Sequence, residues 1–129
     1  MAARRIVSYR RWMVSFDGVV IVTGAGGGGC GRAIAARFAQ GGASVVVSDI
    51  NDPGGEETVR LIQRDRGRAA FFHADVGDER QVRDLIAFGE RSGNGTLVLV
   101  NNASAPFRPD EPLEHWTAIR RITRILFSL

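Results

Sequence analysis

At 129 residues, with 44% hydrophobic and 24% charged residues, the chain is one domain at most, and its composition excludes a disordered or fibrous protein. No apolar run approaches the roughly 18 residues of a membrane span, and the N-terminus lacks the apolar segment of a secretory signal, so a cytoplasmic setting is expected. The net charge of +3 sits in the tails, with +4 in residues 1–16, +2 in residues 113–129 and −3 in the body between them, so neither nucleic acid nor a membrane is an expected partner.

The first strand is expected at Val19 to Thr23, an unbroken apolar run that leads into a glycine cluster. Six of the eight residues from Gly24 to Gly31 are glycine, so the backbone can turn tightly and offer its N–H groups to a pyrophosphate where a β-carbon would collide. A helix follows from about Cys30 to Gln40 and ends at Gly41-Gly42. Ser44 to Ser48 is a second strand, valine-rich without alternation, as a parallel strand covered on both faces should be. Asn51-Asp52-Pro53-Gly54-Gly55 reads as a turn before a polar helix from about Glu56 to Arg66.

A third strand is expected at Ala69 to His73, and a helix beginning at Asp78 carries Val82, Leu85, Ile86 and Phe88 until it runs out near Arg91 to Gly95. Leu97 to Val100 is a fourth strand, ending on Asn101-Asn102, after which Pro106, Pro109 and Pro112 force a loop. Leu113 to Leu129 can be written as a helix with Leu113, Trp116, Ile119, Ile122 and Leu126 along one side. The order βαβαβαβ implies a doubly wound parallel α/β sheet with right-handed crossovers. Three parts are expected: a basic extension at 1–16, a dinucleotide-binding unit at 17–112 and an atypical C-terminal helix at 113–129.

In such a sheet a ligand sits beyond the carboxyl ends of the strands, where four segments converge. Gly24 to Gly31 offers amides for a pyrophosphate. Asp49 closes the second strand, from where a carboxylate accepts hydrogen bonds from an adenosine ribose and repels a ribose phosphate, which favours NAD over NADP. Arg32 follows the loop, from where it either argues for the phosphate or points into solvent. Asp75 could take the amino group of adenine or simply cap the next helix, while Asn101 and Asn102 have amides able to tie strand ends together.

All seventeen basic residues are arginine, so a phosphate loop of the Walker type, which needs a lysine, is excluded. Cys30 is the only cysteine, which rules out an intrachain disulfide and a multi-cysteine metal site. It stands at a helix start that favours thiol reactivity, but the simpler reading is a small residue filling the turn. His73 and His115 are separated by a whole βαβ unit and make neither a metal pair nor an expected general base; His73 should lie toward the adenine side.

Taken together, Thr23-Gly24 through Gly29-Cys30-Gly31-Arg32-Ala33, Asp49, Asp75-Val76 and Asn101-Asn102-Ala103, in this order and spacing, resemble the short-chain dehydrogenase/reductase family, from about Met13 to Trp116. The resemblance implies a Rossmann-like fold, cut after the fourth strand, and an NAD(P)-dependent oxidoreductase. It also implies a cofactor site at Gly24, Gly28, Gly29, Cys30, Gly31, Asp49, Ile50, Asp75, Val76, Asn102 and Ala103. In that family the acid after the second strand selects NAD, the Asp-Val pair contacts adenine and the Asn-Ala pair supports the end of the fourth strand.

Three departures matter. The family spaces its glycines as Thr-Gly-x-x-x-Gly-x-Gly, and Gly24 to Gly29 holds one residue more, while Gly26-x-Gly28-x-x-Gly31 also satisfies the general dinucleotide spacing. Ser104 stands where the Asn-Asn-Ala motif usually ends in glycine. The family's proton donor is a tyrosine tuned by a lysine four residues later, yet the only tyrosine is Tyr9 and no catalytic residue can be assigned.

The expectation is therefore a cofactor-binding half with impaired catalysis, its arginine-rich end after Trp116 read as a frameshift or premature stop. Residues 1–12 are read as an extension before Met13, with a mitochondrial presequence as the rival. The alternative is a non-catalytic nucleotide-binding or interaction module, completed as a homo-oligomer or by a partner chain through the exposed edge of the fourth strand. A methyltransferase using S-adenosylmethionine ranks last, because Thr23 stands where such enzymes usually place an acid.

Overall fold

Val19, Val20, Ile21 and Val22 offer water no polar face, and the chain buries all four by making theirs an interior strand. The computed structural model describes residues 15–104. Within them run β1 (Gly18–Thr23), α1 (Cys30–Gln40), β2 (Ser44–Asp49), α2 (Asp52–Arg64), β3 (Arg68–His73), α3 (Glu79–Arg91) and β4 (Thr96–Val100). The four strands form one parallel sheet in the order β3-β2-β1-β4, which confirms the doubly wound α/β reading. The loop of prolines, the helix expected at 113–129, Tyr9 and His115 lie outside the described residues.

Alternation along β1 and β2 divides the core between the two faces of the sheet. Val20, Val22, Val45 and Val47 pack with Ala35 and Ala39 of α1 and with Val59 and Ile62 of α2. Val19, Ile21 and Val46 face the other way, against Leu85 of α3. The alanines of α1 let that helix lie close over β1, and Phe38 adds an edge-to-face contact with Phe16.

The second helix starts earlier than expected. Asn51-Asp52-Pro53-Gly54-Gly55 is its first turn, not a separate one, because Asn51 caps it by accepting from the Gly54 N–H at 3.1 Å. Pro53 sits where a helix has no use for an N–H. The glycines are there for clearance, since a Cβ at position 54 would strike the Gly26 carbonyl and one at 55 the Phe71 ring.

Capping also settles the third helix. Asp78 accepts from the amides of Arg80 at 2.9 Å and Gln81 at 3.2 Å, so it, and not Asp75, is the cap. The Gln81 amide, and then the Gln81 side chain, hold the Asp78 carboxyl below its ordinary value.

Candidate functional site

The ends of β1, β2 and β4 and the segment after β3 open onto one cleft of about 660 Å³, within the usual range for small-molecule sites. Gly24, Gly29, Cys30 and Gly31 line it from the glycine loop. Asp49 and Ile50 enter from the end of β2, Asp75 and Val76 from the segment after β3, and Asn102 and Ala103 from the end of β4. All the candidate residues but one meet there; Gly28 is exposed and lies outside the lining. Gly27, Asn51, Ala74, Gly77 and Ser104 line it as well.

Close approach explains which glycines the loop cannot exchange. Gly24 has φ +67° and its missing Cβ would stand 2.7 Å from Ala103 Cα. At Gly26 a Cβ would meet Asp49 Cβ at 2.8 Å, and at Gly31 it would meet Ala25 Cα at 2.9 Å. Gly27 and Gly29 have nothing within 4 Å of that position, and Gly28 has only the tip of Arg32 at 4.0 Å. The loop is thus anchored at both ends and open in its middle, where one more residue costs no packing.

Asp49 is held by both carboxylate oxygens. Oδ2 accepts from the Gly26 N–H at 2.8 Å and Oδ1 from the Asn51 N–H at 2.9 Å. Each oxygen keeps acceptor capacity for a further donor from the cleft.

On the other wall, Thr23 and Asn102 join β1 to β4. The buried Thr23 hydroxyl donates to Val100 O at 3.3 Å and accepts from the N–H groups of Asn102 and Ala103, each at 3.2 Å. Asn102 Nδ2 donates to the carbonyls of Thr23 and Gly24, both at 3.1 Å. Asn101 is exposed. Of the expected asparagine pair, Asn102 carries the tie.

Asp75 is exposed, and its Oδ1 accepts from the Gly77 N–H at 2.8 Å, a turn that holds the carboxylate at the cleft edge. His73 ends β3, where its Nδ1 lies 2.6 Å from Asp52 Oδ1. Cys30 is exposed beside the loop, at the first position of α1.

Arg32 is folded onto α2 instead of extending into solvent. Its Nε donates to Thr58 Oγ1 at 2.9 Å and its Nη2 reaches Gly54 O at 3.4 Å. Thr58 Oγ1, fully buried, donates to Ala25 O at 2.6 Å. The sequence points to Asn51 only as part of a turn, and to Thr58 not at all. An Asn followed by Asp-Pro is a helix-start signal that points to Asn51; the Thr58 contact depends on how α1 and α2 pack, which no local pattern encodes.

Comparison with known proteins agrees with this architecture. The family model described as short chain dehydrogenase matches residues 18–126, which carries the match beyond Trp116. An uncharacterised oxidoreductase of Thermotoga maritima is 38% identical over 108 residues, covering 81% of this chain and 41% of its own. The solved structure of a 7α-hydroxysteroid dehydrogenase complexed with NADH and 7-oxo glycochenodeoxycholic acid superposes with a TM-score of 0.71 and 31% identity, covering 88% of this chain and 48% of that one. A short chain dehydrogenase from Mycobacterium smegmatis gives 0.72 and 30%, with coverage of 90% and 53%. The chain therefore spans about half the length of these proteins or less. No helix among the described residues is long and apolar enough to cross a membrane.

Proposed function

This chain belongs to the short-chain dehydrogenase family, and from that membership we propose that its residues form the cofactor-binding half of an oxidoreductase using a nicotinamide dinucleotide, with NAD preferred over NADP. The observation that carries the reading is Asp49, fixed by the amides of Gly26 and Asn51 at the foot of a loop whose middle offers no side chain. A carboxylate so held accepts from ribose hydroxyls and repels a phosphate on the same ribose. A loop without β-carbons lets a pyrophosphate approach its N–H groups, with the start of α1 behind it. The cleft and its donors fit such a cofactor.

The remaining roles follow from position. Asp75 and Val76 stand where the adenine would lie, Ile50 beside it, and Asn102 with Ala103 forms the floor toward the nicotinamide. When bound, the dinucleotide supplies or accepts a hydride. Proton transfer at the carbonyl needs a separate donor. The 129 residues contain no lysine, hence no Tyr-x-x-x-Lys pair, and we assign them binding without sustained turnover by themselves.

Calorimetric titration with NADH and NADPH, alongside a carbonyl-reduction assay, tests this. NADH should bind, NADPH should bind more weakly, and no continuous NADH oxidation should occur. Tighter NADPH binding, or steady turnover, would be evidence against the assignment.

Completion by a second chain is the other reading. Among the described residues β4 pairs with β1 alone, and Leu97 to Val100 are only half-buried. Light scattering that finds a defined dimer without NADH affinity would favour it.

A further inference from the structure

The peptide between Ala25 and Gly26 is gripped from both sides. Its carbonyl accepts from Thr58 Oγ1 at 2.6 Å, and its N–H donates to Asp49 Oδ2 at 2.8 Å. Because a peptide is planar and trans, the direction of its C=O sets the direction of its N–H. The hydroxyl has one proton and two acceptors in reach, Ala25 O at 2.6 Å and the Gly54 carbonyl one turn back at 3.1 Å; the shorter distance favours Ala25 O, and a hydroxyl lone pair receives the N–H of Arg32 Nε at 2.9 Å. A continuous line of donors thus runs from a guanidinium, through a hydroxyl and a peptide, to a carboxylate. Each bond polarises the next in the same sense.

We propose that Thr58 is a positioning residue for cofactor choice: acting through the Ala25–Gly26 peptide, and supported by Arg32, it fixes the Asp49 carboxylate that discriminates between ribose hydroxyls and a ribose phosphate. Thr58 touches no ligand, being fully buried under the loop. Its hydroxyl is the only side-chain group that holds Ala25 O among the described hydrogen bonds. Gly26 completes the coupling, since any Cβ there would push Asp49 away. A threonine needed for stability alone would satisfy Ala25 O and stop there. This one is aligned with a group that has a chemical preference to enforce.

The proposal rests on the cofactor reading above, and the experiment separates the two. Dissociation constants for NADH and NADPH are measured on the full chain and on Asp49→Ala, Thr58→Val and Thr58→Ser, with a melting curve for each. Thr58→Val should reduce the NADH preference about fivefold to tenfold, the size of one hydrogen bond, and Thr58→Ser should restore it. The Gly26 amide resonance should move in Thr58→Val and stay in Thr58→Ser.

If Thr58→Val does not fold, Arg32→Met is read in its place, because it removes the donor to Thr58 Oγ1 from a partly exposed position. It too should lower the preference; a rise would mean that Arg32 serves the phosphate itself and would overturn the proposal. An unchanged preference in Thr58→Val, whatever its melting temperature, overturns it and leaves the cofactor reading standing. A preference that survives Asp49→Ala overturns it as well. A wild-type chain that binds neither dinucleotide sinks the cofactor reading and the proposal together.

Discussion

Thr23 and Asn102, 79 residues apart, hold each other twice: the Asn102 N–H donates to the Thr23 hydroxyl at 3.2 Å, and Asn102 Nδ2 donates to the Thr23 carbonyl at 3.1 Å. The pair locks the ends of β1 and β4 side by side. It also sets Ala103 against Gly24, where the absence of a side chain is a condition of contact.

Replacing Thr23 by valine keeps the shape and removes the hydroxyl that serves Asn102 and Ala103. Two N–H groups then lose their acceptor, at a cost of about 1–3 kcal/mol. Urea unfolding should show a lower midpoint with an unchanged slope. An unaltered midpoint would show that solvent replaces the hydroxyl.

The glycine loop should respond to alanine by position. Gly31→Ala forces a Cβ against the Gly24 carbonyl and Ala25 Cα, and overpacking of this kind costs about 1–3 kcal/mol. Gly28→Ala meets only the movable tip of Arg32 and should leave stability unchanged or raise it by up to about 1 kcal/mol through the unfolded chain. Thermal unfolding of the two variants compares them directly; equal losses would contradict the division into anchors and open middle.

Asp49→Ala removes the repulsion toward a ribose phosphate together with the acceptor for ribose hydroxyls. The ratio of NADPH to NADH affinity should rise about tenfold or more. Competition binding with both dinucleotides measures it, and a ratio that stays put would mean that Asp49 only holds its own loop.

Acid stability should carry a contribution from Asp78, whose folded pKa is lowered chiefly by the Gln81 amide. A depressed carboxyl stabilises the fold above its unfolded pKa, and that stability is lost as pH falls through the folded value. Wild type should therefore weaken below about pH 4, and Asp78→Asn, which keeps an oxygen acceptor for the cap, should lose less over the same interval. Denaturant midpoints between pH 2 and 6 read the difference; parallel curves would assign the acid sensitivity to other groups.

Much of this was legible in the chain because the core strands are apolar without alternation and the turns are spelled in glycine. Val45 to Val47 can be little else than a strand covered on both faces. The ambiguity arose where one vocabulary serves two structures: Asn-Asp-Pro-Gly-Gly spells a turn, but the same asparagine and proline also begin a helix, and the cap decides. Asp75 is a plausible cap on sequence alone, but the cap is Asp78, which the Gln81 amide and side chain engage. Arg32 and Thr58 could not be paired from sequence, since their contact spans 26 residues and exists only once α1 and α2 lie together.

The strand order β3-β2-β1-β4 puts the first strand between the second and the last described. Its earliest neighbour to form in the chain, β2, completes only one wall of the cleft; the other waits for Thr23 to reach Val100, 77 residues on. Non-local closure of this kind is a late and slow event in folding. A half-folded chain with β1, α1 and β2 in place would hold the glycine loop and Asp49 yet still have no floor beneath them. Ligand binding would then follow closure of the whole sheet, so its onset during refolding would time the last strand pairing, not the first.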